Sequence, residues 1–303
     1  PFPYEDMRGL EYRIIYYESS RGCPYGCSYC LSSVEKQVRF RSIDKVKREL
    51  QFFMDHRVPQ VKFVDRTFNC SAEHTMAIWK YIYEHDNGIT NFHFELAADL
   101  LTEEQIQFIG KFRPGMVQFE IGVQSVNPRT LEAIHRKTDL GRLRQKVEAV
   151  RVHRNIHQHL DLIAGLPYED LQSFRHSFDE VYNMKPDQLQ LGFLKVLKGS
   201  PLQREIEKFG ITAQQEPPYE VLYTDWLDYQ DILLLKRVEE MVERYYNSMQ
   251  FEAATKYLVQ LFLSPFACYE KLGNYYHACE WDQCQQSRIQ KYEFLWEFAQ
   301  EYL

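Results

Sequence analysis

A chain of 303 residues with 45% hydrophobic and 26% charged residues has the material for a sizeable core, which excludes a disordered polypeptide. No run of about 18 apolar residues occurs, which argues against a membrane span. A formal net charge of -7, from 36 Lys plus Arg against 43 Asp plus Glu, argues against a broad nucleic-acid-binding surface. The N-terminus lacks the charged, apolar and small-residue order of a secretory signal, so the cytoplasm is the expected compartment. Of the seven cysteines, three fall within eight residues, a pattern of metal ligation in a reducing compartment.

Residues 1–11 read as a leader. From Ile14 onward β-rich runs alternate with amphipathic helical stretches. The predicted strands are residues 14–19, 60–65, 91–97, 116–124, 157–164 and 188–197. Ser42 opens a helix bearing Val46, Leu50 and Phe53, Thr102 and Gln105 form a capping box, and Pro167 then Asp170 open a helix whose Phe174 and Phe178 share a face. Such alternation implies parallel strands with right-handed crossovers. Six units fall short of a closed eight-unit barrel, so the expected fold is α/β, an open six-stranded parallel (β/α)6 partial TIM barrel over 12–205. Residues 206–220 are polar and proline-bearing and read as a linker. A helical extension is expected over 221–303, where Trp226, Leu227, Leu234, Leu235, Val238, Met241 and Val242 recur at helical spacing, as do Leu295, Trp296, Phe298 and Leu303.

Parallel strands covered on both sides read as continuous apolar runs, yet several strands here alternate strictly. In the third, Phe92, Phe94 and Leu96 oppose His93 and Glu95. In the fourth, Val117, Phe119, Ile121 and Val123 oppose Gln118, Glu120, Gly122 and Gln124. In the fifth, Leu160 and Leu162 oppose His157, His159 and Asp161. With the apolar faces against helices, the polar ones line the lumen, and burying Glu95, Glu120 and Asp161 without partners would cost several kcal/mol each, so a polar or cationic ligand is expected there. The alternative is an antiparallel sheet with a solvated face.

Directly after the first predicted strand comes RGCPYGCSYC, a C-x3-C-x2-C loop of Cys23, Cys27 and Cys30. Three local thiolates can converge on a soft metal centre, and they leave one position open where a structural zinc or a ferredoxin-type cluster would have a fourth ligand. The loop leaves the C-terminal end of a strand, where barrels place their chemistry.

This loop, with Tyr29 before its last cysteine, resembles the CxxxCxxC motif of the radical S-adenosylmethionine (radical SAM) superfamily. The resemblance implies a 4Fe-4S cluster on Cys23, Cys27 and Cys30 whose open iron takes the amino and carboxylate groups of SAM. One electron, from a low-potential donor of the flavodoxin or ferredoxin type, then cleaves SAM to a 5'-deoxyadenosyl radical that acts on a small or medium organic substrate. It also implies Tyr29 near the adenine, Glu95 (FELAAD) toward SAM, Gln124 (EIGVQS) beside it, Arg136 (LEAIHRKTD) on the SAM carboxylate and Asp161 (DLIAGLP) on a ribose hydroxyl. The family's GGE segment is replaced by FVDRTFN, whose Val64 to Arg66 carbonyls, with Asp65 and Asn69, are the expected site of the SAM ammonium. Together FVDRTFN, EIGVQS and DLIAGLP are most similar to cobalamin-dependent radical SAM proteins related to anaerobic magnesium-protoporphyrin IX monomethyl ester cyclase. Cobalamin-dependent methyl transfer or cyclisation is therefore the favoured subclass, and with no D-x-H-x-x-G segment in the chain, cobalamin would be carried by a domain not present in it, the alternative being a protein that works without cobalamin. A tRNA methylthiotransferase and a noncatalytic zinc- or iron-binding scaffold are the alternatives. Cys268, Cys279 and Cys284 are spaced too irregularly for a second cluster and read as free thiols, and Cys70 as core or a neighbour of the cluster.

Overall fold

Six strands alternate with helices along the chain in the computed structural model, which describes residues 2–4, 7–10, 12–281 and 286–302. The strands are β1 (Ile15–Tyr17), β2 (Gln60–Phe63), β3 (Asn91–Leu96), β4 (Val117–Gln124), β5 (His157–Ala164) and β6 (Gln188–Phe193). They form one parallel sheet in sequential order. The first and last strands are not neighbours in it, so the expected open (β/α)6 arrangement is present. Ile15 registers with Val61, Val61 with Phe92, and Phe92 with Val117.

Strand ends fall short of expectation where the backbone finds another partner. Tyr17 accepts the last ladder bond from Val64, at 2.8 Å, and the chain then leaves the sheet. β6 stops at Phe193 because Lys195 forms an antiparallel bridge with Glu220. Residues within the expected linker are likewise ordered: Thr212–Ala213 pairs antiparallel with Val221–Tyr223, and Val221 donates to the Leu194 carbonyl at 2.8 Å.

The helices between the strands are α1 (Ile43–Asp55), α2 (Ala72–Glu84), α3 (Glu103–Ile109), α4 (Pro128–Ala133), α5 (Leu140–Arg151) and α6 (Leu171–Asn183). The predicted capping box closes α3, with Gln105 N donating to Thr102 Oγ1 and Thr102 N to Gln105 Oε1. Asp170 caps α6 through Ser173 N at 2.8 Å. Ser42 sits at the start of α1 but makes no side-chain capping bond. The helical extension comprises α7 (Tyr229–Met241), a π-helical turn over Val242–Asn247, α8 (Glu252–Val259), α9 (Pro265–Ala278) and α10 (Arg288–Tyr302). Trp226 and Leu227 precede α7, because the capping box of Asp228 and Asp231 starts the helix after them.

The described residues divide into two compact units: residues 1–123, 135–160 and 199–201, and residues 124–134, 161–198 and 202–303. In the first unit the apolar faces of β2, β3 and β4 pack on α2. Phe63, Phe68, Phe94, Trp79 and Phe119 are fully buried, with ring centroids 4.2 Å apart for Phe68 and Phe94 and 5.7 Å for Trp79 and Phe119. Burying a side chain of this size contributes roughly 1.5–3 kcal/mol. In the second unit the extension docks on α6, whose Arg175 meets Glu270 at 2.6 Å and whose Asp179 accepts the Phe266 amide at 2.7 Å. Phe174 and Phe178 lie buried on one face of α6, as predicted.

Candidate radical SAM site

The cysteine loop is a closed excursion from the C-terminal end of β1. At its base Ser20 and Arg21 pair antiparallel with Phe40 and Arg39, and the Cys23 amide donates to the Glu35 carbonyl at 3.2 Å. Gly22 makes the closure possible. Its φ is +101°, and a Cβ there would stand 2.3 Å from the Gln37 carbonyl oxygen. Gly22→Ala is therefore expected to cost about 1–3 kcal/mol in strain and to lower the iron content of reconstituted protein. Iron analysis beside a urea melt checks both.

Inside the loop Cys23 and Cys27 are buried and Cys30 is half-buried. Burial pushes the Cys27 thiol up, Arg136 pulls it back, and the neighbouring Cys30 and Cys23 thiols raise it further, which places the three sulfurs in one electrostatic neighbourhood. Among the described residues no three His, Cys, Asp or Glu side chains form a single-ion site. A cuboid cluster gives each thiolate its own iron, so a soft, unequally exposed donor set on one loop fits a cluster better than a closed zinc site. Cys70 is half-buried near Cys23, whose charge helps raise its thiol after burial.

Arg136 comes to the loop from outside it. Nη1 lies 3.8 Å from Cys27 Sγ, and Nη2 donates a short hydrogen bond to the Gly122 carbonyl in β4. The buried Nε has no hydrogen-bond partner among the described residues, a donor that a carboxylate would satisfy. Tyr29 stands in the same group: burial raises its hydroxyl, Arg136 lowers it, and Cys27 and Cys30 raise it.

Asp65 is corrected. It is fully buried, and both oxygens are engaged: Oδ2 accepts from the Ser19 amide at 2.9 Å, and Oδ1 from the Ser19 and Ser20 hydroxyls at 2.7 and 2.5 Å. Burial pushes its carboxyl above the usual range against these donors. His74 Nε2 extends the network to Ser19 Oγ at 3.1 Å. Asp65 therefore anchors the strand that leads into the cysteine loop and is not poised for a SAM ammonium. Asn69 is engaged in the same way, exchanging two hydrogen bonds with the Ala97 backbone at 2.8 and 2.9 Å. Thr67 Oγ1, 3.5 Å from Cys23 Sγ, is the part of FVDRTFN that reaches the loop.

The polar face of the sheet has the parity read from the sequence. Lys62 registers with His93, His93 with Gln118, and Glu95 with Glu120. Glu120 is corrected as a residue awaiting an external cation. Lys62 Nζ lies 2.8 Å and His93 Nε2 2.9 Å from Glu120 Oε2. The Gln118 amide nitrogen lies 2.8 Å from His93 Nδ1, on the side of the ring away from Glu120. Burial raises the Glu120 carboxyl, but the hydrogen bonds of His93 and Lys62 outweigh it and hold it down at about 2. A depressed carboxylate stabilises the fold above its unfolded value near 4.5 and loses that contribution as pH falls toward 2. Glu120→Gln should cost about 2 kcal/mol at neutral pH and nearly nothing at pH 2, measured as the difference between two pH series of urea melts.

Gln124 and Asp161 belong to the second unit. Gln124 ends β4 at φ +72°, a conformation a side-chain-bearing residue holds only at a cost, and its buried Oε1 has no hydrogen-bond partner among the described residues. Asp161 is half-buried in β5, and Glu95 of the first unit half-buried in β3. Glu169, in no motif of the sequence, is fully buried and accepts from Ser125 Oγ at 2.6 Å and Ser177 Oγ at 2.8 Å. Burial pushes its carboxyl up to about 7 against these two donors. Its only sequence signal is an acid in the turn between Gly165 and the α6 cap. Cys268 is buried, and burial pushes its thiol up to about 12, in keeping with an inert free thiol. Cys279 is free and exposed, and Cys284 lies outside the described residues.

Comparison with known proteins agrees with this geometry. A radical SAM superfamily profile matches residues 17–181, more than half of the chain. The chain belongs to the radical SAM superfamily. Residues 207–303 match a family described as a protein of unknown function, DUF4080. The cobalamin-dependent radical SAM methyltransferase TokK of Streptomyces tokunonensis is 26% identical over 236 residues, 70% of this chain and 32% of that protein. The oxygen-independent coproporphyrinogen-III oxidase-like protein HemZ of Bacillus subtilis is 30% identical over 118 residues, 39% of this chain and 23% of that protein. The chain thus spans about a third or less of the length of these relatives. Among solved structures, the radical SAM methyltransferase TsrM from Kitasatospora setae, with cobalamin and a 4Fe-4S cluster bound, has a TM-score of 0.60 at 16% identity over 68% of this chain and 43% of its own. Superfamily membership makes this radical SAM chain an enzyme that uses a 4Fe-4S cluster and SAM. Among the described residues no helix is long and apolar enough to cross a membrane.

Proposed function

We propose that this radical SAM chain carries its cluster on Cys23, Cys27 and Cys30, holds SAM at the open iron, and directs reductive SAM cleavage toward cobalamin-dependent methyl transfer or cyclisation of a small or medium organic substrate. The observation that carries the reading is the three-cysteine loop at the end of β1 with the Arg136 guanidinium against Cys27 and its Nε unpaired among the described residues. When bound, the cluster would supply the electron that breaks a carbon–sulfur bond of the sulfonium.

The chain's own residues orient and shield. Arg136 Nε offers a donor to the SAM carboxylate, and Tyr29 an aromatic face at the loop. Glu95, Gln124 and Asp161 keep the roles that the family resemblance gives them. The similarity to TokK and the strings FVDRTFN, EIGVQS and DLIAGLP support cobalamin, and the superfamily resemblance implies a flavodoxin- or ferredoxin-type protein as reductant.

The reading is tested by incubating anaerobically reconstituted protein with dithionite and SAM, with and without methylcobalamin. Release of 5'-deoxyadenosine is the expected product of reductive cleavage, and S-adenosylhomocysteine formed only with cobalamin would mark methyl transfer. A chain holding four irons that releases neither would overturn it.

A further inference from the structure

The placement of Arg136 supports a role beyond holding SAM. The chain turns at His135, whose φ is +54°, immediately before Arg136. From there the guanidinium is pinned by its Nη2 hydrogen bond to the Gly122 carbonyl, which holds Nη1 3.8 Å from Cys27 Sγ. Nη1 thus donates toward the sulfur of one cluster cysteine, while the donor left for a SAM carboxylate is Nε. The charged groups acting on the guanidinium are Tyr29, Cys27 and Asp99, in a half-buried setting where solvent screening is reduced.

We propose that Arg136 is a positioning residue that sets the reduction potential of the cluster through its cationic N–H···S contact with Cys27, independently of SAM. The inference rests on the cluster assignment made under the proposed function. Reduction places one more negative charge on the cluster and its thiolates, so a cation and a donor at one sulfur favour the reduced form, and hydrogen bonds to sulfur are among the determinants of cluster potential. The electron comes from the titrating reductant, dithionite, and no bond is made or broken. A tenfold difference in the reduction equilibrium, from a contact stronger in the reduced than in the oxidised state, corresponds to about 59 mV for one electron.

The test is an EPR-monitored redox titration of anaerobically reconstituted protein without SAM. Arg136→Gln should reduce about tenfold less favourably, its midpoint more negative by about 59 mV, and Arg136→Lys, which keeps the cation, should lie between it and the unaltered protein. A second measurement needs no variant: unaltered protein grown with ¹⁵N-arginine should show a ¹⁵N hyperfine coupling in pulsed EPR of the reduced cluster. Unchanged midpoints in both variants, or no ¹⁵N coupling where a variant does not load, would overturn the inference while leaving the cluster assignment intact. Failure of the unaltered protein to load iron and sulfide would remove both.

Discussion

Cys27→Ala is expected to abolish SAM cleavage, lowering 5'-deoxyadenosine release at least a hundredfold, and to cut reconstituted iron well below that of the unaltered chain. Cys27 is buried at the middle of the loop, between Cys23 and Cys30 and beside the Arg136 cation, so its removal takes away one of the three thiolates that hold the cluster. Because the loop is closed by its backbone pairing at Ser20 and Arg21, the fold should survive. Far-UV circular dichroism should be unchanged while the visible charge-transfer absorption is lost. Cys268→Ala is the control: that thiol is buried in the second unit, its pKa pushed up by desolvation alone, and its removal should leave iron and cleavage unaffected. Equal loss in both variants would refute the assignment of the loop.

The second large effect is on folding. Asp65→Ala should destabilise the first unit by about 3 kcal/mol or more, because the Ser19 amide and the Ser19 and Ser20 hydroxyls lose their common acceptor inside the protein. Urea melts would show a lower midpoint at an unchanged slope. Since the two serines lead directly into the cysteine loop, iron loading should fall with stability, whereas a residue contacting only SAM would leave both unchanged and alter only SAM affinity. A variant of unaltered stability with weakened SAM binding would restore the role first expected of Asp65.

That reversal shows where the sequence is readable. Alternation along Val117 to Gln124 predicts which residues of β4 are buried, because the pleat allows only two faces and in this strand only one of them is apolar. The cysteine loop is readable because its three ligands are local. The anchoring role of Asp65 is not legible because its partners lie 45 and 46 residues away, and no local pattern distinguishes a carboxylate that anchors backbone from one that binds a ligand. Glu120 was identified as a lumen acid, yet Lys62 and His93 on neighbouring strands, which supply its counter-charge, emerge only from the sheet register. Glu169 and its two serines meet only in the folded chain, for the same reason. The polar composition of residues 206–220 suggested a linker and gave no warning of the strand pairing between Thr212–Ala213 and Val221–Tyr223, whose bonds are backbone to backbone and leave no mark on side-chain pattern.

The most direct test of the vacant iron is ENDOR spectroscopy of the dithionite-reduced, reconstituted chain mixed with SAM labelled with ¹⁵N at its amino group. Three cysteine ligands and one open iron predict a ¹⁵N coupling to the cluster that disappears when SAM is omitted. A reduced cluster with no such coupling at saturating SAM, or protein holding one tightly bound zinc and no acid-labile sulfide, would contradict the account.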